Sequence, residues 1–234
     1  RLKINNSGLY VNGTLANTAG AALTTEKNFL VVDACAVTST GCHNTFIGSG
    51  AGRYTTFGKY NFFAGFCTGF NNTRGCNNIY IGCCAGFCTT ITHNNIFVGR
   101  FTGGSTTTGS NNLFMGLYAG RCNTTGCYNT FLGFYAGFKN TTGRCNFIAG
   151  QCAGFNSSAG NHNILIGYYA GFLNAGQSNV FFGYQSGVNN TTGCHNIFIG
   201  ECSGQNTTFG CNNVFLGKRS EEHTSELQSR PHIS

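Results

Sequence analysis

The chain has 234 residues, 36 of them Gly, 22 Phe and 14 Cys, while only 8% are Asp, Glu, Lys or Arg. So little charge makes a conventional soluble surface hard to assemble, and so few acids exclude chemistry that needs clustered carboxylates. The formal charge of +7 does not point to nucleic acid, because Arg53, Lys59, Arg74, Arg100, Arg121, Lys139 and Arg144 are spread over at least five positions of the repeat described below and form no continuous stripe.

Residues 1–40 are irregular. Leu9-Tyr-Val-Asn-Gly-Thr-Leu15 predicts a hairpin turning at Asn-Gly. Asn28-Phe-Leu-Val-Val lies 16 residues before Asn44 and reads as a degenerate capping coil, with a boundary near Thr40. No apolar run approaches the ~20 residues of a membrane span, and no signal peptide is visible.

From residue 41 the sequence is periodic. Asparagine followed four residues later by glycine recurs at Asn44, Asn61, Asn78, Asn95, Asn112, Asn129, Asn146, Asn163, Asn179, Asn196 and Asn213, at a spacing of 17 except for 16 between Asn163 and Asn179. A second glycine stands eight residues after each asparagine but the last, from Gly52 to Gly204, and a third usually three residues before it. So short a period encloses no core by itself and must stack on its neighbours, one coil per repeat. The stretch after each asparagine is rich in Phe, Ile, Val and Leu and predicts a short strand. Three near-fixed glycines fit corners of positive φ, and the asparagines predict a ladder from coil to coil. The fold expected is therefore all-β, a single-stranded parallel β-solenoid of eleven 17-residue coils over residues 41–218. The 16-residue coil fits it. Asn174-Ala175-Gly176 replaces the usual Asn-Thr-Thr-Gly, so the deletion falls in a loop and spares the strand from a flip.

Which side of the strand faces inward is read from volume. The residues one and three after each asparagine vary together, Phe62 with Ala64 and Phe147 with Ala149, as if sharing one filled compartment inside the coil. The residue between them then points outward. Its column of Phe46, Phe63, Tyr80, Phe97, Phe114, Phe131, Phe181, Phe198 and Phe215, with Ile148 and Leu165, becomes a candidate oligomer interface.

The last sixteen residues break the pattern. Arg219 to Gln228 and on to Ser234 read codon for codon like a translated sequencing-library adapter, index included, so residues 219–234 are set aside as artefactual and the natural repeat is taken to run to about Lys218.

The repeat itself, for example Asn123-Thr-Thr-Gly-Cys-Tyr-Asn-Thr-Phe-Leu-Gly-Phe-Tyr-Ala-Gly137, resembles those of phage-type tail-fibre proteins and trimeric autotransporter adhesin heads over residues 41–217. The resemblance implies a left-handed parallel β-roll, a homotrimer, and a rigid extracellular segment on a cell surface or virion. Such a segment meets a surface receptor or glycan by multivalent display. A monomeric ice- or surface-binding solenoid is the alternative, prompted by the column Thr56, Thr73, Thr90, Thr107, Thr124, Thr141, Thr191 and Thr208.

Catalysis is not expected, because Glu201 is the only acid between Gly41 and Gly217 and would stand alone on the surface. Nor is a cofactor or metal. Cys76 with His93, or Cys194 with His195 and Cys211, lack a paired metal spacing. The cysteines gather in two columns. Cys42, Cys76, Cys127, Cys194 and Cys211 stand two residues before the asparagine, and Cys67, Cys84, Cys152 and Cys202 six after it. Stacked neighbours would lie about 4.8 Å apart, where a disulfide is strained, so a ladder of small thiols interchangeable with Ser is the plainer reading. The Asn-x-Ser/Thr sequons at Asn71, Asn123, Asn140, Asn156, Asn189, Asn190 and Asn206 arise from the repeat itself.

Overall fold

The computed structural model describes residues 41–218 throughout and, before them, the backbone of four strands, β1 (Leu2–Asn5), β2 (Gly8–Val11), β3 (Thr14–Leu15) and β4 (Phe29–Val31). The adapter-like tail lies outside the described residues. β1, β2 and β3 form an antiparallel sheet in which Val11 partners Thr14 across the Asn-Gly step.

Eleven three-residue strands follow, one per repeat: β5 (Thr45–Ile47), β6 (Phe62–Ala64), β7 (Ile79–Ile81), β8 (Ile96–Val98), β9 (Leu113–Met115), β10 (Thr130–Leu132), β11 (Phe147–Ala149), β12 (Ile164–Ile166), β13 (Val180–Phe182), β14 (Ile197–Ile199) and β15 (Val214–Leu216). They pair in parallel in strict chain order, and β4 extends the same sheet by one strand through Leu30 opposite Phe46. The protein is thus all-β, a parallel solenoid with one strand per turn. Register survives the 16-residue coil, since Ile164 partners Val180 across the deletion.

Each asparagine that opens a strand does two jobs. Asn112 donates Nδ2–H to the carbonyl of Gly126 fourteen residues on, closing its own coil at 2.9 Å, and its Oδ1 accepts the backbone N–H of Asn129 in the next coil at 2.9 Å. The same N–H to Oδ1 rung recurs at every step from Asn61 onto Asn44 to Asn213 onto Asn196. An amide side chain carries both the N–H donor and the carbonyl acceptor that these bonds need, whereas an ionised Asp would have no hydrogen to give the Gly126 carbonyl.

The strand faces the opposite way from the volume argument. Phe46, Phe63, Tyr80, Phe97, Phe114, Phe131, Phe181 and Phe198 are wholly buried within a single chain, with Ile148 and Leu165 between them and Phe215 packed on the end of the column. The column assigned to an oligomer interface is therefore the coil's own core. The wall opposite the ring explains it. Seven and eight residues after the asparagine stand a small residue and a glycine, and a Cβ on Gly120 would lie 2.6 Å from the ring of Phe114. Only the middle side chain of the strand points at that space. The rings stack face over face, Phe97 on Phe114 at 4.9 Å and Phe114 on Phe131 at 4.6 Å between centroids. The residues one and three after the asparagine, Phe62 and Ala64 included, lie outside, where no opposing wall restrains their size.

The corners also differ from expectation. Two glycine columns do adopt positive φ, with Gly116 at 129° and Gly120 at 57°. The third, three residues before the asparagine, does not. Gly109 and its equivalents are glycine because coils touch there, as a Cβ on Gly58 would lie 2.6 Å from the carbonyl oxygen of Gly75. The other positive-φ positions, Gly50 apart, carry side chains, in the columns before the asparagine (Tyr128, 59°; His162, 57°) and six after it (Cys84, 57°; Tyr118, 60°). This left-handed backbone costs about 1–2 kcal/mol per residue. Hydrogen bonds between coils hold it, such as Tyr128 N–H to Ser110 O at 3.1 Å and Cys84 N–H to Phe66 O at 2.8 Å.

Candidate functional site

With the aromatic column inside, the outer side of the sheet is a uniform surface that runs the length of the repeat region. Its two columns run from Thr45 and Ile47 in β5 to Val214 and Leu216 in β15. All 22 positions, two in each of eleven strands, are uncharged, and all but Thr45 and Thr130 are apolar. Ile79, Ile81, Ile96, Met115, Ile164, Phe182, Ile197 and Ile199 are exposed. Adjacent residues within one strand contrast sharply: Ile96 is 39% exposed and Phe97 0%.

The cysteine columns are accounted for by hydrogen bonds. Two residues before the asparagine, the side chains of Ser110, Cys127 and Cys211 each accept a backbone N–H from the coil before and donate to a carbonyl two residues back. Cys127 Sγ takes the N–H of Ser110 at 3.4 Å and gives to Thr125 O at 3.3 Å, while Ser110 Oγ takes the N–H of His93 at 3.1 Å. Cys211 Sγ does the same for Cys194 N–H at 3.2 Å. Thiol, hydroxyl and imidazole thus serve one role. Nδ1 of His93, considered above as a metal ligand with Cys76, accepts the N–H of Cys76 at 3.3 Å instead. Among the described residues thirteen cysteines are free thiols, and no three His, Cys, Asp or Glu side chains converge. Six residues after the asparagine, burial pushes the Cys84 thiol up to about 12, helped by Cys83, whose Sγ lies 3.5 Å away. Burial also raises Cys152 and Cys67. Raised thiols are poor nucleophiles at neutral pH.

The threonine column does not bond its own turn. Thr73, Thr90, Thr107, Thr124, Thr141 and Thr191 each donate Oγ1–H to the carbonyl one coil on, at 2.9–3.2 Å. Those hydroxyl protons are committed to the stack. Glu201 is not alone, as Lys218 Nζ lies 3.0 Å from its carboxylate, although at such exposure the pair adds little stability. Arg53, Arg100, Arg121 and Lys139 rest against the rings of Phe70, Phe101 and Phe155 along one edge. Of the sequon asparagines, Asn123, Asn140 and Asn190 are buried.

Two features escaped sequence reasoning. Tyr80 replaces the usual Phe and Thr92 the usual Gly of the same coil, and their hydroxyls meet at 2.9 Å inside the core. The paired departure is the signal that could have found them. The other is a second polar column eleven residues after the asparagine, built from Asn, Thr and Ser. Asn140 Nδ2 donates to Asn123 Oδ1 at 2.9 Å, and Asn190 Nδ2 to Asn174 Oδ1 at 2.6 Å. Where Thr or Ser interrupts this column, buried atoms are left over: Thr55 Oγ1, Asn72 Oδ1, Thr106 Oγ1, Asn140 Oδ1, Ser157 Oγ and Asn190 Oδ1.

No protein-family model, curated protein or solved structure matches the chain.

Proposed function

We propose that the repeat region is a structural rod, a fibre or adhesin segment that holds copies of itself at a cell surface or virion for multivalent attachment to a receptor or glycan, and that it is not an enzyme. The observation that carries this reading is the unbroken stack: eleven strands in one register, with an asparagine rung at every step. In such a solenoid each coil contacts only its neighbours, so length grows in proportion to coil number along one axis, the property a display scaffold needs. At strand spacing the eleven coils span roughly 50 Å. The one acid among residues 41–217 is exposed and tied to Lys218, which leaves no pair of carboxylates to act as acid and base.

The ice-binding alternative is less well supported, because the threonine hydroxyls donate inward to the stack and the outer strand face mixes Thr and Ala with Phe. Both readings meet one experiment. Full-length chain coupled at high density to beads, and the same chain free in solution, are applied to a printed panel of bacterial and host surface glycans, and thermal hysteresis is measured in parallel. Display predicts retention of the beads at least about 100-fold above the free chain and no hysteresis. Retention of neither form, or faceted ice growth, contradicts it.

A further inference from the structure

We infer that the outer face of the sheet is an interface between two copies of this chain, packed face to face about a two-fold axis. The inference rests on the rod reading above and names its partner.

The face is open within one chain and apolar along its length except at Thr45 and Thr130. Ile79, Ile164 and Ile199 are exposed, and no charge interrupts either column. One flank, formed by the residues just before each asparagine, is mostly polar, with Asn77, Asn94, Asn111 and Asn212 beside the aromatic Tyr60 and Tyr128, which suits an apolar interface centre with a more hydrophilic rim. Eleven strands at about 4.8 Å make a strip roughly 50 Å long, and two outward residues with their side chains make it about 10 Å wide. That is roughly 500 Å² of projected area on each copy, or about 1,000 Å² for a pair before side-chain relief is added. A specific interface begins near that total, and the roughly 500 Å² on each copy forms one contiguous strip, of the size at which the largest apolar patch of a protein is often a binding surface.

Periodicity selects the occupant. The ridges on this face repeat once per coil, so a partner must offer grooves at the same repeat along the whole length. Another copy does so automatically, whereas a surface of any other spacing falls out of step within a few coils. Sheets packed face to face sit about 10 Å apart with their side chains interdigitated, which needs matched ridges. A single self-complementary flat face closes as an isologous pair. Two faces meeting about a two-fold axis bury both columns along their whole length, and the three-copy fibre implied by the resemblance is the competing outcome of the test below.

The test is light scattering and sedimentation of the full chain from about 1 to 100 µM, with two variants. One carries Ile79→Lys, Ile96→Lys and Ile164→Lys; the other carries Thr at the same three positions, keeping strand propensity should the lysines disturb folding. The expected wild-type mass is twice the chain's 24.8 kDa. The lysine variant should dissociate at least 100-fold more readily and the threonine variant at least tenfold, both with unchanged circular dichroism. A wild-type monomer over the whole range, a threefold mass, or a folded variant that associates as tightly as wild type would each overturn the pairing. A monomer that still adheres when clustered on beads sinks the pairing and leaves the display reading standing. A pair that never adheres does the reverse.

Discussion

Phe97 and Ile96 are neighbours in one three-residue strand, both large and apolar, yet one is sealed and the other lies 39% open. The residue types do not distinguish them; the wall opposite does. Phe97 points across the coil at Gly103, where a Cβ would stand 2.5 Å from its ring, and Ile96 faces outward with its ladder neighbours Ile79 and Leu113 beside it. Where both faces of a strand are hydrophobic, the inner face is recognised by what has been kept small on the far side of the coil.

The sharpest way to break this contrast is to put bulk where the inner ring needs room. Gly120→Ala sets a methyl against Phe114 and strains a residue at φ 57°, and should destabilise by about 3–4 kcal/mol, whereas Leu113→Ala on the outside of the same strand should cost under about 1 kcal/mol. Urea unfolding of the two variants compares them directly.

Next in size is the asparagine that anchors the strand. Asn112→Ala leaves the N–H of Asn129 buried and unpaired and leaves the carbonyl of Gly126 only the amide of Asn123, so a loss of about 1–3 kcal/mol is expected by the same measurement.

The second polar column offers a gain. Ser157→Asn would join Asn140 to Asn174 and satisfy Asn140 Oδ1, raising stability by about 1 kcal/mol, or roughly 2–4 °C in Tm. Calorimetry showing no rise would mean that the leftover atoms are met in some other way.

The smallest effect at neutral pH belongs to Tyr80. Burial raises its phenol above the ordinary value near 10, so its contribution is complete below about pH 10 and is lost as pH climbs toward the folded-state value. Tyr80→Phe should therefore lose under about 1 kcal/mol at pH 7, from the Thr92 hydroxyl left behind, yet resist alkaline unfolding better than wild type above pH 10. Parallel pH profiles would contradict the burial.

Much of this architecture could be read directly. The period, the asparagine column and the deletion between Asn163 and Asn179 each follow from chemistry that tolerates few substitutes. Facing could not be read from hydrophobicity, because Ile96, Phe97 and Val98 are alike in it. The usable signal was constancy of size: the inner column never falls below Ile148 and Leu165, whereas the outer ones range from Ala64 to Phe182. The covariation of Phe62 with Ala64 pointed the wrong way, and nothing in the structure explains it. Left-handed corners at Tyr128 or Cys84 were invisible for another reason. Neither residue type favours that conformation, and the hydrogen bonds that hold it come from the adjacent coil.

The account turns on strand facing, and equilibrium unfolding of Phe97→Ala beside Ile96→Ala tests that most directly, read at low chain concentration so that association does not contribute. Truncating a fully buried ring is expected to cost about 3–5 kcal/mol, and truncating its exposed neighbour about 1 kcal/mol or less. Equal losses, or a larger loss at Ile96, would place the aromatic column on the outside and contradict the account.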